Sequence, residues 1–277
     1  MVIDVTSALA PERAALLDLL RGLSAADWVR PTECPAWTVQ QLALHILGDD
    51  LSLLARQRDA TPKQGLLLYG ESHPGLPFMQ LLDGFNEQWV TASTFLSPEL
   101  LITLLGLVGE WSEDFYRNVG LDTVSREPVG FFAQTMPSPY WQLIAREYAE
   151  RVIHQSQMRR AIGAPELDGE IVTWMARVVV HALAHWLVDY RVADGVAIGV
   201  DFGAVGSWTW RREPGVWSVI EGIEVPDARV TVAPDHVVAV LTRGVPQTEA
   251  NALLTLEGDE PLALGAMAVA APLLTNE

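Results

Sequence analysis

The stretch PTECPAWTVQQLALHILGDD, residues 31–50, decides the reading of this chain. Pro31 and Pro35 stiffen a short loop that holds Cys34 and Trp37. Thr38 and Gln41 then form a T-x-x-Q capping box, which places the start of a helix at Val39. From there Val39, Leu42, Ala43, Ile46 and Leu53 fall on one face at helical spacing. His45 lies on the flank of that stripe, and Asp49 follows one turn later on the same flank. An ionisable ring beside a buried face is either a packed, hydrogen-bonded core residue or part of a site, and the stretch alone leaves both open.

Outward from this helix the apolar spacing stays helical as far as about residue 194. It predicts helices over roughly 8–22, 77–95 and 98–118, the last started by Ser97 and Pro98. Two more are predicted, one from Ser138–Pro139 to Gly163 and one over 169–193. Long helices with short connections imply an antiparallel bundle. Beyond residue 196 the pattern shortens and alternates. VAIGVDF, SWTWRR, VWSVIEG, ARVTVAP and NALLTLEG read as strands, PDHVVAVLTRG as a short helix and EPLALGAMAVAAPLL as a closing one. The expected class is α plus α+β, with a helical bundle over 1–194 and a small α+β domain over 195–277.

Composition narrows the function. With 49% hydrophobic residues among 277, the chain has ample material for a core. A net charge of -17 disfavours nucleic acid and anionic membrane surfaces. The longest apolar run, LLITLLGLVG, spans about half of what a membrane helix needs, and no basic leader precedes it, so a cytoplasmic location is expected. One cysteine, Cys34, excludes an internal disulfide and any CxxC metal site, and it reads as a space-filler beside Trp37. Phosphate-loop and nucleophile-elbow motifs are absent.

Histidines and carboxylates on inward helix faces offer a set of metal donors. In the helix after Pro139, Tyr140, Leu143, Ile144, Glu147, Glu150, His154 and Met158 share a side. Burying a lone carboxylate costs several kcal/mol, so an inward Glu150 needs a partner. His154, four residues on, can converge with it on one point, and such a pair donates well to a divalent ion. His45 is the natural third donor. Two imidazoles and a carboxylate leave a fourth position open, the catalytic pattern for zinc. The bland alternatives are a satisfied core histidine at 45 and a solvated pair at 150 and 154. Glu147 either orients a ligand imidazole or snorkels to the surface. A rival pair, His181 and His185 with Asp189, has equal spacing but reads as packing. His73 reads as loop and His236 as an exposed first-turn residue.

Taken together, these residues resemble a known family. PTECPAWTV and its following histidine helix are similar to the opening signature of the mycothiol-dependent maleylpyruvate isomerases, a group of DinB-like helical bundles. FNEQWV at 85–90 and AREYAERVIHQSQMRRAIG at 145–163 resemble its next landmarks, and the tail from about 196, with LEGD at 256–259, resembles a sterol-carrier-like domain. The resemblance implies that His45, Glu150 and His154 ligate zinc or another divalent metal and that mycothiol is a cofactor. It implies a metal-activated thiolate that attacks a small electrophilic substrate, in an isomerisation or an S-transfer. It implies an arginine of the second domain for an anionic substrate, matched here by Arg243, with Arg211 and Arg212 as alternatives. Gln157 stands where the family often has Asp, and Ala36 where it usually has Gly. A thiol transferase of a natural-product pathway, a hydrophobic-ligand carrier and a stress-type DinB protein are the competing readings.

Overall fold

The computed structural model describes residues 2–34, 37–61, 65–126 and 138–274. Pro35 and Ala36 of the opening loop fall outside them. The helical part comprises α1 (Leu9–Arg21), α2 (Ala25–Trp28), α3 (Val39–Leu53), α4 (Leu66–Ser72), α5 (Phe78–Ser93), α6 (Pro98–Asn118), α7 (Tyr140–Ile162) and α8 (Gly169–Trp186). The expected capping box starts α3: the Gln41 amide donates to the Thr38 hydroxyl at 3.4 Å, and the Thr38 amide donates to Oε1 of Gln41 at 3.0 Å. Ser97 caps α6 through the Leu100 amide at 3.2 Å, with Pro98 in the first turn. Both starts are set by local chemistry.

Three features differ from expectation. Ser138 does not cap α7. Pro139 is its N-cap, and the Ser138 carbonyl accepts from the Ser125 amide at 2.8 Å. Pro139, paired with Val124, extends that bridge and delays the helix by a residue. α8 ends at Trp186, short of 193, and tightens into a 3-10 turn over Leu187–Asp189. The short helices α2 and α4, and one over Gln247–Ala250, were not expected from the spacing. α7 stops where expected, at Gly163, whose φ of +69° is left-handed.

α7 is the spine of the fold. It is buried nearly all round, and the one-sided stripe read from the sequence describes only part of it. Its buried set includes Gln142, Glu147, Arg151, Gln155, Ser156 and Gln157, each needing a partner inside the protein. Arg151 finds Asp50 of α3, whose other carboxylate oxygen accepts from Nη2 of Arg13 of α1 at 2.5 Å. Asp50 is 1% exposed. Arg13 also donates to the Leu105 carbonyl of α6 at 3.3 Å, and a side chain on Gly109 of α6 would meet its Nε at 2.9 Å. One buried carboxylate thereby ties α1, α3 and α7 together and seats α6 against them. Gln155 donates to Oε1 of Glu12 at 3.0 Å, which adds a second tie between α7 and α1.

The chain then forms a sheet of β1 (Ala197–Asp201), β2 (Ser207–Glu213), β3 (Val216–Glu221), β4 (Ala228–Val232) and β5 (Leu254–Gly258), in the order β3-β2-β1-β4-β5. β1 and β4 are parallel and the other pairs antiparallel. α9 (Val237–Leu241), α10 (Gln247–Ala250) and α11 (Glu260–Leu274) complete it. Trp208, Trp210 and Trp217 are buried on the sheet, and the indole of Trp210 donates to the Val180 carbonyl of α8 at 3.0 Å. One apolar core runs from α7 and α8 into the strands, while a second lies among α1, α3 and α6. Among the described helices, only the segment Gly169–Asp189 has the length and hydropathy of a membrane span. Its place against α7, β3 and α11 accounts for that composition.

Removing the shared carboxylate strands two buried guanidinium groups. Asp50→Ala is therefore expected to cost about 3–5 kcal/mol in urea unfolding; a loss below about 1 kcal/mol would show that the arginines find other partners.

Candidate functional site

α3 and α7 cross so that His45 and His154 meet. Their ring centroids lie 4.9 Å apart with the planes at 87°, edge to face. Glu150, one turn before His154, places Oε2 3.8 Å from Nε2 of His154. His45, Asp49, Asp50, Glu150, Arg151 and His154 line one small cleft, with Ile46. Trp37 lays its ring against His45 at 4.9 Å between centroids and is held by an indole hydrogen bond to Glu87 of α5 at 2.8 Å. The loop after α9 brings Nη2 of Arg243 to 3.8 Å from Oε1 of Glu150. Arg243 has φ +56°, the left-handed region that a non-glycine residue adopts only when its surroundings hold it there.

Protonation states follow from burial and neighbours. Burial, with His154 beside it, pushes the His45 pKa down to about 3. Burial also lowers that of His154, against the opposing pull of Glu150 and Gln157. For Glu150 burial acts upward, yet Arg243, His154, Arg146 and His45 together outweigh it and hold the carboxyl below its usual range. Two neutral imidazoles and an ionised carboxylate are the protonation states a metal requires. Nδ1 of His154 lies 2.9 Å from Oε1 of Gln157. The amide oxygen accepts there, which leaves Nε2, the nitrogen facing Glu150, as the lone-pair nitrogen. As the side chains stand, no three His, Cys, Asp or Glu residues enclose a common point among the described residues.

Glu147 neither snorkels nor orients an imidazole. It is buried beside Asp49 and accepts from Nε of Arg146 at 3.0 Å. Burial and Asp49 push its pKa up to about 8 against the pull of Arg146. The side chain that does hydrogen-bond to an imidazole of the cleft is Gln157, a residue the sequence marked only as a departure from the family pattern. Arg211 pairs with Glu224, and Arg212 lies 4.0 Å from Asp194 and over the Trp217 ring, so both are engaged at the sheet. Of the three arginines considered, only Arg243 stands at Glu150. His181 and His185 lie on α8 and do not line the cleft. His73 stacks on Tyr69 at 4.0 Å at the end of α4.

The profile of the mycothiol maleylpyruvate isomerase N-terminal domain matches residues 9–159, more than half of the chain. The chain belongs to that family. Two crystal structures of the mycothiol-dependent maleylpyruvate isomerase, one of a histidine-to-alanine mutant, share the fold with a TM-score of 0.53 over 91% of each chain. Their sequence identity to this chain is 12%, a likeness of fold. No curated protein matches by sequence. The family match spans His45, Glu150 and His154, whereas Arg243 lies well beyond its end.

The depressed histidine pKa sets a pH dependence. A group whose folded pKa lies below its unfolded value of about 6.5 binds its proton preferentially in the unfolded chain. Its stability contribution is complete above that value and is lost as the pH falls toward about 3. Metal-free protein is expected to lose about 1–2 kcal/mol from His45 between pH 7 and pH 5. Chemical unfolding across that range should show a shallower slope in His45→Gln; equal slopes would contradict the assignment.

Proposed function

We propose that this chain is a mycothiol-dependent metalloenzyme in which a metal-activated thiol attacks a small electrophilic substrate, in an isomerisation or a thiol S-transfer. The observation that carries the reading is the meeting of two neutral imidazoles, His45 and His154, beside an ionised Glu150 in a chain of this family. These three residues would hold zinc or another divalent ion. Such an ion, when bound, lowers the pKa of a coordinated thiol so that thiolate is present at neutral pH. The thiol is mycothiol by family membership.

The protein's own groups supply the rest. Gln157 fixes the His154 tautomer. Trp37 covers one face of the His45 ring and limits water there. Arg243 presents a guanidinium fork suited to a substrate carboxylate. The net charge of -17 argues against nucleic acid or an anionic membrane as partner, and a cytoplasmic location suits a low-molecular-weight thiol. We take the division of labour to be metal and thiol on residues 1–194 and the arginine on 195–277. The tryptophans that fill the sheet's buried face speak against a hydrophobic-ligand carrier.

Metal analysis with a thiol-dependent assay tests this. Purified protein should hold about one zinc per chain and convert maleylpyruvate, or label an electrophile panel, only when mycothiol is present. His45→Ala and Glu150→Gln should each weaken zinc binding by about 100-fold or more, while Gln157→Leu should cost about 10-fold, the usual effect of losing a ligand's orienting partner. Protein that stays metal-free in excess zinc and inert toward the whole panel would end the proposal.

A further inference from the structure

The end of α7 carries a contact set that the proposed chemistry does not use. Arg160 is 18% exposed and bidentate on Glu33, with Nε to Oε1 and Nη2 to Oε2 both at 2.7 Å. Its Nη1 donates to the Thr242 hydroxyl at 2.9 Å and lies 3.4 Å from Glu166, while Nη2 reaches the Thr242 carbonyl at 3.4 Å. The Thr242 hydroxyl in turn donates to the Val238 carbonyl at 2.7 Å, so its position is fixed from both sides. Gly244 makes room for this arrangement: a side chain there would place Cβ 2.8 Å from Cζ of Arg160.

The two segments held by this guanidinium both reach the candidate site. Glu33 belongs to the loop that lays Trp37 against His45, a loop also tied internally by the Thr32 hydroxyl donating to the Trp37 carbonyl at 2.9 Å. Thr242 immediately precedes Arg243, whose left-handed backbone turns its side chain toward Glu150. We propose that Arg160 is a positioning residue that locks the Trp37 loop and the Arg243 turn into one unit, so that neither leaves the site without releasing the other. A planar fork with several fixed donors can bridge a carboxylate, a hydroxyl and a carbonyl at once, which explains an arginine here. The proposal rests on the site reading only in the meaning given to Trp37 and Arg243; the coupling itself is a property of the fold.

Cys34, next to Glu33, is the chain's sole cysteine and is half-buried, so its labelling by an aromatic disulfide reports on the loop without any substrate or metal. Arg160→Met should speed labelling about tenfold. Gly244→Ala, more than 200 positions away in sequence, should do so as well, because its methyl group displaces the guanidinium. The Gly244 change adds no charge near the thiol, and its backbone lies outside the left-handed region. The double variant should label no faster than Arg160→Met alone, since both changes break one contact set. Thr242→Val, which deletes the hydroxyl without adding bulk, gives the same readout should Gly244→Ala fail to unfold cooperatively. Wild-type labelling rates in the folded Gly244 or Thr242 variants, or additive effects in the double variant, would overturn the coupling. A failed thiol-dependent assay would leave these rates untouched, so the two proposals fall separately.

Discussion

Asp50, buried between Arg13 and Arg151, is the interaction on which the rest of the structure depends. Ion pairs at the surface contribute little, but a carboxylate and two guanidinium groups withdrawn from water have no comparable alternative partner. The constraint is therefore rotational as well as adhesive. Turning α3 by one residue would swing Asp50 about 100° away from the arginines. Asp50 lies five residues after His45, and Arg151 directly follows Glu150, so the rotation that satisfies the ionic cluster is also the one that brings the imidazoles of α3 and α7 together. The candidate site inherits its geometry from a buried salt bridge beside it.

The same logic explains why α7 is polar where a core helix is usually apolar. Several of its buried or partly buried charges and amides have partners on another helix or on the turn that follows α9: Arg151 on α3, Gln155 on α1, Glu150 against Arg243. Glu147 is the case in which burial partly wins: its carboxyl is pushed up to about 8 beside Asp49 despite the pull of Arg146. These pairings make the helix a scaffold whose register is fixed along its length, as a site built from several separate elements requires.

Much of this was legible in the sequence, for reasons that differ by residue. Thr38 with Gln41 and Ser97 with Pro98 announce helix starts because caps are satisfied within four residues. The strands were legible from alternation. His45, Glu150 and His154 stood out through spacing and through resemblance to a family. What stayed hidden depends on residues far apart in the chain. Nothing local at Glu12 or Arg13 announces partners on α7 and α3, and Arg160 and Glu33 are 127 positions apart. Ser138–Pro139 misled because a bridge to Val124 overrode a good local signal. Gln157 was visible only as an oddity until its contact with Nδ1 of His154 gave it a task.

X-ray absorption at the zinc edge of metal-loaded protein, recorded with and without the thiol, is the most direct test of the account. It predicts two imidazole nitrogens and carboxylate oxygen around the metal, with one sulfur at about 2.3 Å appearing when the thiol is added. A metal shell without paired imidazoles, or one that gains no sulfur, would contradict it.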